Sequence, residues 1–263
     1  MFTLIFGTFD RFHEGHRFFL DQAIKEGGGE LVVSVALDDH VRTLKKKEPT
    51  ESQQVRLGVV SAQPGVRRAV LSDEALGAYG ILSTQRIRTI VVGYDQQGLW
   101  DDLQRFLARA HHSFRLVRLT TELVSVALFI PERDGWVFLQ RRKDPRPEWN
   151  AFWEFPGGKI AKQEDPALAA ARELTEETAL DPLGQRFLGM HEFSMVLPEG
   201  NRLTRIYAYA GNTAGKGVCM ETDTAADGRW FPKNELLKLP MLPPNKAIVR
   251  KLYLNCCGVQ NLG

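Results

Sequence analysis

The sequence predicts an α/β protein in two parts: a doubly wound parallel-sheet domain over residues 1–121 and an α+β domain over residues 122–263. Three observations carry that expectation. Short apolar runs alternate with segments of helical spacing from Phe2 to Leu119, the pattern of a parallel sheet covered on both faces. After Leu123 the pattern changes to consecutive strands around one strong helix. A length of 263 residues, 43% hydrophobic and 25% charged, suits two soluble domains of ordinary size.

Each element has a local reason. Phe2–Phe6 is a short apolar run ending at Gly7, hence a buried strand. His16–Lys25 spaces Phe19, Leu20, Ala23 and Ile24 as one helix face and stops at Gly27-Gly28-Gly29. Leu31–Leu37 is a second strand, Ser52–Gln63 a helix and Arg67–Leu71 extended. Asp73–Gln85 reads as mostly helical with a break near Gly77–Gly80; Ile87–Val92 is a parallel-type strand, Leu99–His111 a helix and Phe114–Leu119 the last strand. In the second half, Leu123–Ile130 and Trp136–Arg141 form a hairpin about Glu132–Gly135. A Pro- and Trp-rich loop, Pro145–Trp153, precedes Phe155-Pro156-Gly157-Gly158 and a helix from Pro166 to Thr178. Strands near Arg186–Val196, Leu203–Ala210 and Asp227–Phe231 and a closing helix, Asn245–Leu254, complete the chain.

Composition excludes several classes. Lys plus Arg is 34 and Asp plus Glu 32, a net charge of +2. Up to Thr121 the balance is 16 basic to 14 acidic residues, and beyond it 18 to 18. Neither half has the basic excess of a nucleic-acid binder. No apolar run spans a bilayer, and Met1–Asp10 lacks the basic start of a signal peptide. Cys219, Cys256 and Cys257 make no C-x-x-C pair, and the adjacent two read as reduced helix-packing residues. The expectation is a cytoplasmic protein acting on small molecules, without nucleic-acid or membrane partners; the sequence is compatible with an oligomer.

Ligands of parallel sheets bind beyond the carboxyl ends of the strands, here after Phe6, Leu37 and Val92. Gly7-Thr8-Phe9-Asp10-Arg11-Phe12-His13-Glu14-Gly15-His16 follows the first strand and opens the first helix. A helix start offers unpaired N–H groups and positive potential to a phosphate. Gly7 would take strained turn dihedrals, and Gly15 would let the backbone approach a ligand. His13 and His16 can donate to oxygens of one phosphate.

Through Gly7-Thr8-Phe9-Asp10 and His13-Glu14-Gly15-His16, the first half resembles the H-x-G-H nucleotidyltransferases of Rossmann-like fold, in their cytidylyltransferase-like branch. Val35-Ala36-Leu37-Asp38-Asp39, Lys45–Pro49, Arg56 and Val92-Gly93-Tyr94-Asp95-Gln96 are similar to archaeal-type FAD synthases and glycerol-3-phosphate cytidylyltransferases. The resemblance implies that a phosphate acceptor attacks the α-phosphate of ATP or CTP and pyrophosphate leaves. It implies a cradle of Gly7, Thr8, Phe9, Asp10, Gly15 and Gly93, with His13 and His16 stabilising the transition state. Lys45 or Lys47 and Arg56 would neutralise phosphates; Asp38 and Asp95 would hold the acceptor or the metal-bound substrate. Read alone, Lys45–Lys47 is a solvated charge run and Asp95 a turn residue. One departure stands out: the family's second phosphate loop is missing, because Arg118-Leu119-Thr120-Thr121 runs straight into the next domain.

The second motif is a helix of carboxylates. Glu173, Glu176 and Glu177 fall at i, i+3 and i+4 and share one face. Mutually repelling carboxylates suit a hard divalent cation, Mg²⁺ or Mn²⁺, able to polarise a diphosphate and activate water. Gly158, five residues, Glu164, seven residues, Arg172-Glu173-Leu174-Thr175-Glu176-Glu177-Thr178-Ala179-Leu180 resembles the Nudix box at all positions but one. That resemblance implies metal binding by Glu173, Glu176, Glu177 and the Gly158 carbonyl, with Glu164 assisting, and hydrolysis of a nucleoside diphosphate-linked compound or nucleoside triphosphate. Arg172 would orient the acidic cluster. The departure is Ala179 where the box has Gly, at a cost of about 1 kcal/mol in the left-handed conformation. Gln140-Arg141-Arg142, Glu148–Phe155 and Leu242–Asn245 look like MutT-type Nudix enzymes. Asn245 reads as a base contact or as a helix N-cap, and Trp149 and Trp153 as a base-stacking wall or as core. The leading expectation is a fused nucleotidyltransferase and Nudix hydrolase. The alternatives are a Nudix hydrolase with a nucleotide-sensing first half, and a pair of ligand-binding regulators.

Overall fold

The computed structural model describes residues 1–110, 114–145, 147–197, 200–217 and 225–254; Cys219, Cys256, Cys257 and His111 lie outside them. The chain forms two compact units, Met1–Leu123 with Val196–Arg202, and Val124–Met195 with Leu203–Gly263.

In the first unit, β1 (Phe2–Gly7), α1 (Glu14–Gly27), β2 (Leu31–Val35), α2 (Asp38–Lys45) and α3 (Gln53–Ser61) come first. β3 (Val66–Leu71), α4 (Ile81–Thr84), β4 (Ile87–Val92), α5 (Gln97–Ala110) and β5 (Arg115–Arg118) follow. The five strands are parallel in the order β3-β2-β1-β4-β5. Successive residues of one strand enter opposite cores, as a period of two requires. Ile5, Val33 and Val91 pack with Leu20 and Ala23 of α1 and Val60 of α3. Their neighbours Leu4, Val32 and Ile90 pack with Ile81, Leu82 and Leu103 of α4 and α5. This is the doubly wound sheet expected from the sequence. The strand order reverses between β1 and β4, so a crevice belongs at Gly7 and Val92.

Two elements differ from expectation. Asp38–Lys45 is a helix, so Asp38 opens α2 and β2 ends at Val35. Only Ile81–Thr84 of the expected helix over Asp73–Gln85 forms. Gly77 and Tyr79 have φ of +78° and +50°, and the Asp73 carboxylate accepts from Gly80 N at 2.8 Å, which folds the segment into turns.

In the second unit, β6 (Thr121–Arg133) and β7 (Trp136–Arg142) form the antiparallel hairpin. Short β8 (Trp153–Glu154) pairs with β7, and β9 (Gly157–Lys159) with β6. Then come α6 (Pro166–Thr178), β10 (Asp181–Pro182), β11 (Arg186–Leu197), β12 (Gly200–Ala214), β13 (Ala225–Pro232) and α7 (Pro243–Val249), closed by a wide turn at Arg250–Leu254. Alternation again sorts two cores. Ala127, Phe129 and Phe138 meet Ala169, Ala170 and Leu174 of α6. Leu128, Ile130, Val137 and Leu139 meet Ile248 and Val249 of α7. No helix among the described residues is long and apolar enough to cross a membrane.

Candidate functional sites

At the end of β1 the chain turns through Thr8–Phe12 into α1. His13 is the N-cap, and the histidines form a reciprocal capping box. Gly15 N donates to His13 Nδ1 at 3.1 Å, and His13 N donates to His16 Nδ1 at 3.3 Å. A main-chain N–H is only a donor, so each Nδ1 is an acceptor and each neutral ring carries its proton on Nε2. The rings stack with centroids 3.8 Å apart. The absent side chain of Gly15 makes room for this, since a Cβ there would lie 3.0 Å from His13 Cε1. The role expected for Gly7 is corrected. Its φ is not left-handed; what needs glycine is the Phe9 ring, which a Cβ would meet at 2.6 Å. The left-handed residues are Phe9 (φ +55°) and Arg11 (φ +50°).

Carboxylates hold this strained loop. Asp10 accepts from Thr50 N at 3.0 Å and from Glu51 N at 2.9 Å; Glu51 returns the contact, accepting from Arg11 N at 3.0 Å. Burial raises the Asp10 carboxyl, but those main-chain donors and nearby Arg56 outweigh it and hold the group below its ordinary range. Arg56 is fully buried. It donates to Thr8 O (2.6 Å), Glu51 O (3.0 Å) and Asp38 Oδ1 (2.6 Å). The sequence reading of Arg56 as a phosphate neutraliser therefore gives way: its guanidinium lies beneath the loop and positions it. Asp38 is likewise tied to Arg56 and, through its N–H, to Gln53 Oε1 at 2.9 Å. Lys45 and Lys47 stand exposed at the end of α2, around left-handed Lys46.

The turn after β4 is joined to β1 by Gln96, which accepts from Gly93 N at 2.8 Å and donates to Phe6 O at 2.9 Å. Asp95 is exposed on that turn. Arg118 ends β5 and donates to Tyr94 O at 2.9 Å and to Gln97 Oε1. Thr120 O accepts from Asn201 N at 3.1 Å. The stretch that would open a second phosphate loop is thus used to hold the Tyr94–Gln97 turn and the Val196–Arg202 segment.

In the second half, Asp165 caps α6, accepting from Ala167 N at 2.8 Å ahead of Pro166. Arg172 donates to both oxygens of Glu164 (2.8 and 3.1 Å), to Glu173 (2.8 Å) and to Glu176 (3.0 Å). Its expected orienting role matches this placement. These bonds, Glu164's first, push the Arg172 pKa up, and Arg172 holds the Glu164 carboxyl down. Glu173 rests on Gly158, where a Cβ would lie 2.5 Å from its carboxylate oxygens. Gly157 has no room either, since a Cβ there would meet Ala127 O at 2.3 Å. Glu177 Oε2 accepts from Gly157 N (2.9 Å) and Gln140 Nε2 (2.8 Å). Burial pushes Glu177 up to about 7, and the Glu173 charge adds to the rise.

Sequence reasoning quoted Gln140, Arg142 and Glu154 within MutT-like stretches but gave them no role here. Glu154, buried and also raised to about 7, first by burial and then by the Glu177 charge, takes the Arg142 guanidinium at 3.1 Å. Arg142 also binds Asp144 at 2.7 Å. Gln140 stands opposite Glu154 in the β7–β8 register. The available signal was two consecutive strands placing a Gln and a Glu on one face with Glu177. The N-cap reading of Asn245 is corrected: Leu242 is the N-cap of α7, and buried Asn245 accepts from Phe155 N at 2.9 Å. Trp153 packs on the core against Phe231, ring centroids 4.7 Å apart. Ala179 has φ +51°, as the box position requires.

Among the described residues, no three His, Cys, Asp or Glu are gathered around one point for a metal ion; Arg172 compensates Glu173 and Glu176 instead. The donor chemistry nonetheless fits a hard cation. Carboxylates flank a main-chain segment, Gly157-Gly158, from which side chains are sterically excluded.

A cytidylyltransferase-like family model matches residues 4–141, and a NUDIX domain model matches residues 121–252. The FAD synthase of Korarchaeum cryptofilum is 37% identical over 121 residues, covering 44% of this chain and 80% of that protein. The FAD synthase of Archaeoglobus profundus is 38% identical over 113 residues, covering 43% and 70%. Among solved structures, the MutT NUDIX hydrolase from Burkholderia pseudomallei is similar at 21% identity and a TM-score of 0.43, covering 50% of this chain and 98% of that one.

Proposed function

The chain belongs to the cytidylyltransferase-like family over its first half and to the Nudix family over its second, and from that premise we propose that it transfers the adenylyl group of ATP to a phosphate-bearing acceptor and hydrolyses a nucleoside diphosphate-linked compound. It is a nucleotidyltransferase fused to a Nudix hydrolase. The relatives named FAD synthase support FMN as acceptor. The acceptor phosphate oxygen attacks the α-phosphorus of ATP; a new P–O bond forms, the bond to the β-phosphate breaks, and pyrophosphate leaves. The observation that carries this reading is the histidine capping box. With both Nδ1 atoms held by main-chain N–H groups, the Nε2–H groups of His13 and His16 are preorganised donors for charge developing on the α-phosphate. Asp10, Glu51 and Arg56 keep the loop in place, and Gly93 and Asp95, on the turn that Gln96 ties to Phe6, would complete the nucleotide site. Lys45 and Lys47 supply positive charge.

In the second half, Glu173, Glu176, Glu177 and the Gly158 carbonyl would hold Mg²⁺ or Mn²⁺, which supplies charge to polarise a diphosphate. Arg172 keeps Glu164, Glu173 and Glu176 oriented, and Gln140 and Gly157 fix Glu177.

The test uses full-length Glu177→Gln protein, Mg²⁺, ATP or CTP, and FMN, glycerol 3-phosphate, phosphopantetheine or nicotinamide mononucleotide. Pyrophosphate release with ATP and FMN, with the adduct identified by mass, is expected. Release with a different pair reassigns the acceptor. A folded protein that binds nucleotide and releases no pyrophosphate with any pair overturns the transferase reading and leaves a nucleotide sensor ahead of a Nudix hydrolase.

A further inference from the structure

The side chain of Gln140 is 1% exposed, yet only half of its amide is used. Nε2 donates to Glu177 Oε2 at 2.8 Å, while Oε1 is buried without a hydrogen-bond partner. A buried amide oxygen left unpaired costs about 1–3 kcal/mol, so such an atom beside a reactive centre marks the place of a missing donor. Among the described residues no donor reaches it: the cross-strand neighbour Glu154 accepts from Arg142, and ionised Glu177 is an acceptor. Glu177 shows the complementary asymmetry. Both of its donors, Gly157 N and Gln140 Nε2, converge on Oε2 and leave Oε1 unclaimed.

We infer that Gln140 is a positioning residue of the hydrolase centre: its amide nitrogen commits one oxygen of Glu177 to the protein so that the other remains for a divalent cation, and its buried Oε1 seats an ordered water beside that carboxylate. This rests on the metal reading of Glu177 given above. It also explains why an amide, and not an aliphatic side chain, stands in a strand whose neighbours Val137 and Leu139 are core.

The probe is Mn²⁺ alone, titrated into the full chain without nucleotide and followed by the electron paramagnetic resonance signal of the free ion. Wild type, Glu177→Gln, Gln140→Leu and Gln140→Met are compared, with metal-free melting temperatures alongside. Removing a group that orients a metal ligand typically weakens binding about 10–100-fold. Both Gln140 variants are therefore expected to lose at least about tenfold in Mn²⁺ affinity, more than any shift in their metal-free melting would explain. Loss in Glu177→Gln together with wild-type affinity in a folded Gln140 variant overturns the role of Gln140 alone. Wild-type affinity in Glu177→Gln overturns the metal reading and this inference with it. Should neither Gln140 variant fold, a crystal of the wild type soaked in Mn²⁺ decides. A water within hydrogen-bond distance of Gln140 Oε1 supports the inference, and a dry Oε1 overturns it.

Discussion

The rings of His13 and His16 stack 3.8 Å apart, inclined by 23°, and each offers its Nδ1 to a main-chain N–H of the same helix start. The capping that shapes the helix also fixes the tautomer of both rings. A His16→Ala variant should lower pyrophosphate release about 10²–10³-fold, the loss seen when one preorganised donor to a developing negative charge is removed. Hydrolysis by the second half should be unchanged. A variant keeping half the wild-type release would remove His16 from the chemistry.

Glu177→Gln should abolish the divalent-cation-dependent hydrolysis while leaving nucleotidyl transfer intact. Stripping the wild type with a chelator should have the same effect on hydrolysis, reversed by Mg²⁺ or Mn²⁺. Hydrolysis that persists in the variant would sink the assignment.

The two carboxyls raised to about 7, Glu154 and Glu177, imply a pH dependence of stability in the metal-free protein. Their ordinary value is 4.5. Between about 4.5 and 7 the unfolded chain has lost protons that the folded chain keeps, so stability falls as pH rises through this range. Their contribution is complete below about 4.5 and gone above about 7. Without metal, the wild-type melting temperature should drop relative to Glu177→Gln from pH 5 to pH 8. Mn²⁺, which favours the carboxylate, should reverse the trend. Parallel curves for the two proteins would contradict this.

Ala179 pays a left-handed backbone at the end of α6 with no ligand to show for it. Replacing it with Gly should raise stability by about 1 kcal/mol, read as a higher urea midpoint with unchanged slope. A lower midpoint would mean that the Ala179 methyl contributes packing that outweighs the strain.

Arg56→Met should destabilise by about 1–3 kcal/mol, because part-buried Asp38, Thr8 O and Glu51 O would lose their common donor. Transfer should fail through loss of loop order, with hydrolysis spared below the melting point. Full stability with a raised KM for the nucleotide would restore Arg56 to direct phosphate contact.

Patterns with a fixed period were legible in the sequence. Short apolar runs holding Leu4-Ile5, Val32-Val33 and Ile90-Val91, alternating with helical segments, announced a sheet buried on both faces, and i, i+3, i+4 spacing put Glu173, Glu176 and Glu177 together. Even the left-handed Ala179 was readable from the box it interrupts. What escaped depends on contacts distant along the chain. Arg56 looks like any phosphate-binding cation until Thr8 and Asp38 are seen around it. Asn245 follows two prolines as an N-cap would, but its carbonyl turns to Phe155 across the fold. Gln140 and Glu154 are unremarkable until the register of β7 and β8 makes them neighbours. Asp38–Lys45 escaped for a local reason: the stretch is charged and carries few apolar residues, so no apolar run marks it as an element.

The Val196–Arg202 segment belongs to the first unit although it is encoded deep in the second half, and strand β6 begins in one unit and ends in the other. A gene cut after Thr121 would therefore not release a self-sufficient transferase. It would strand Thr120 O without Asn201 and leave Glu122 and Arg202, an ion pair of the first unit at 2.8 Å, on the other fragment. The first unit therefore draws on seven residues encoded within the second half of the chain, and a boundary set by sequence order alone misses them.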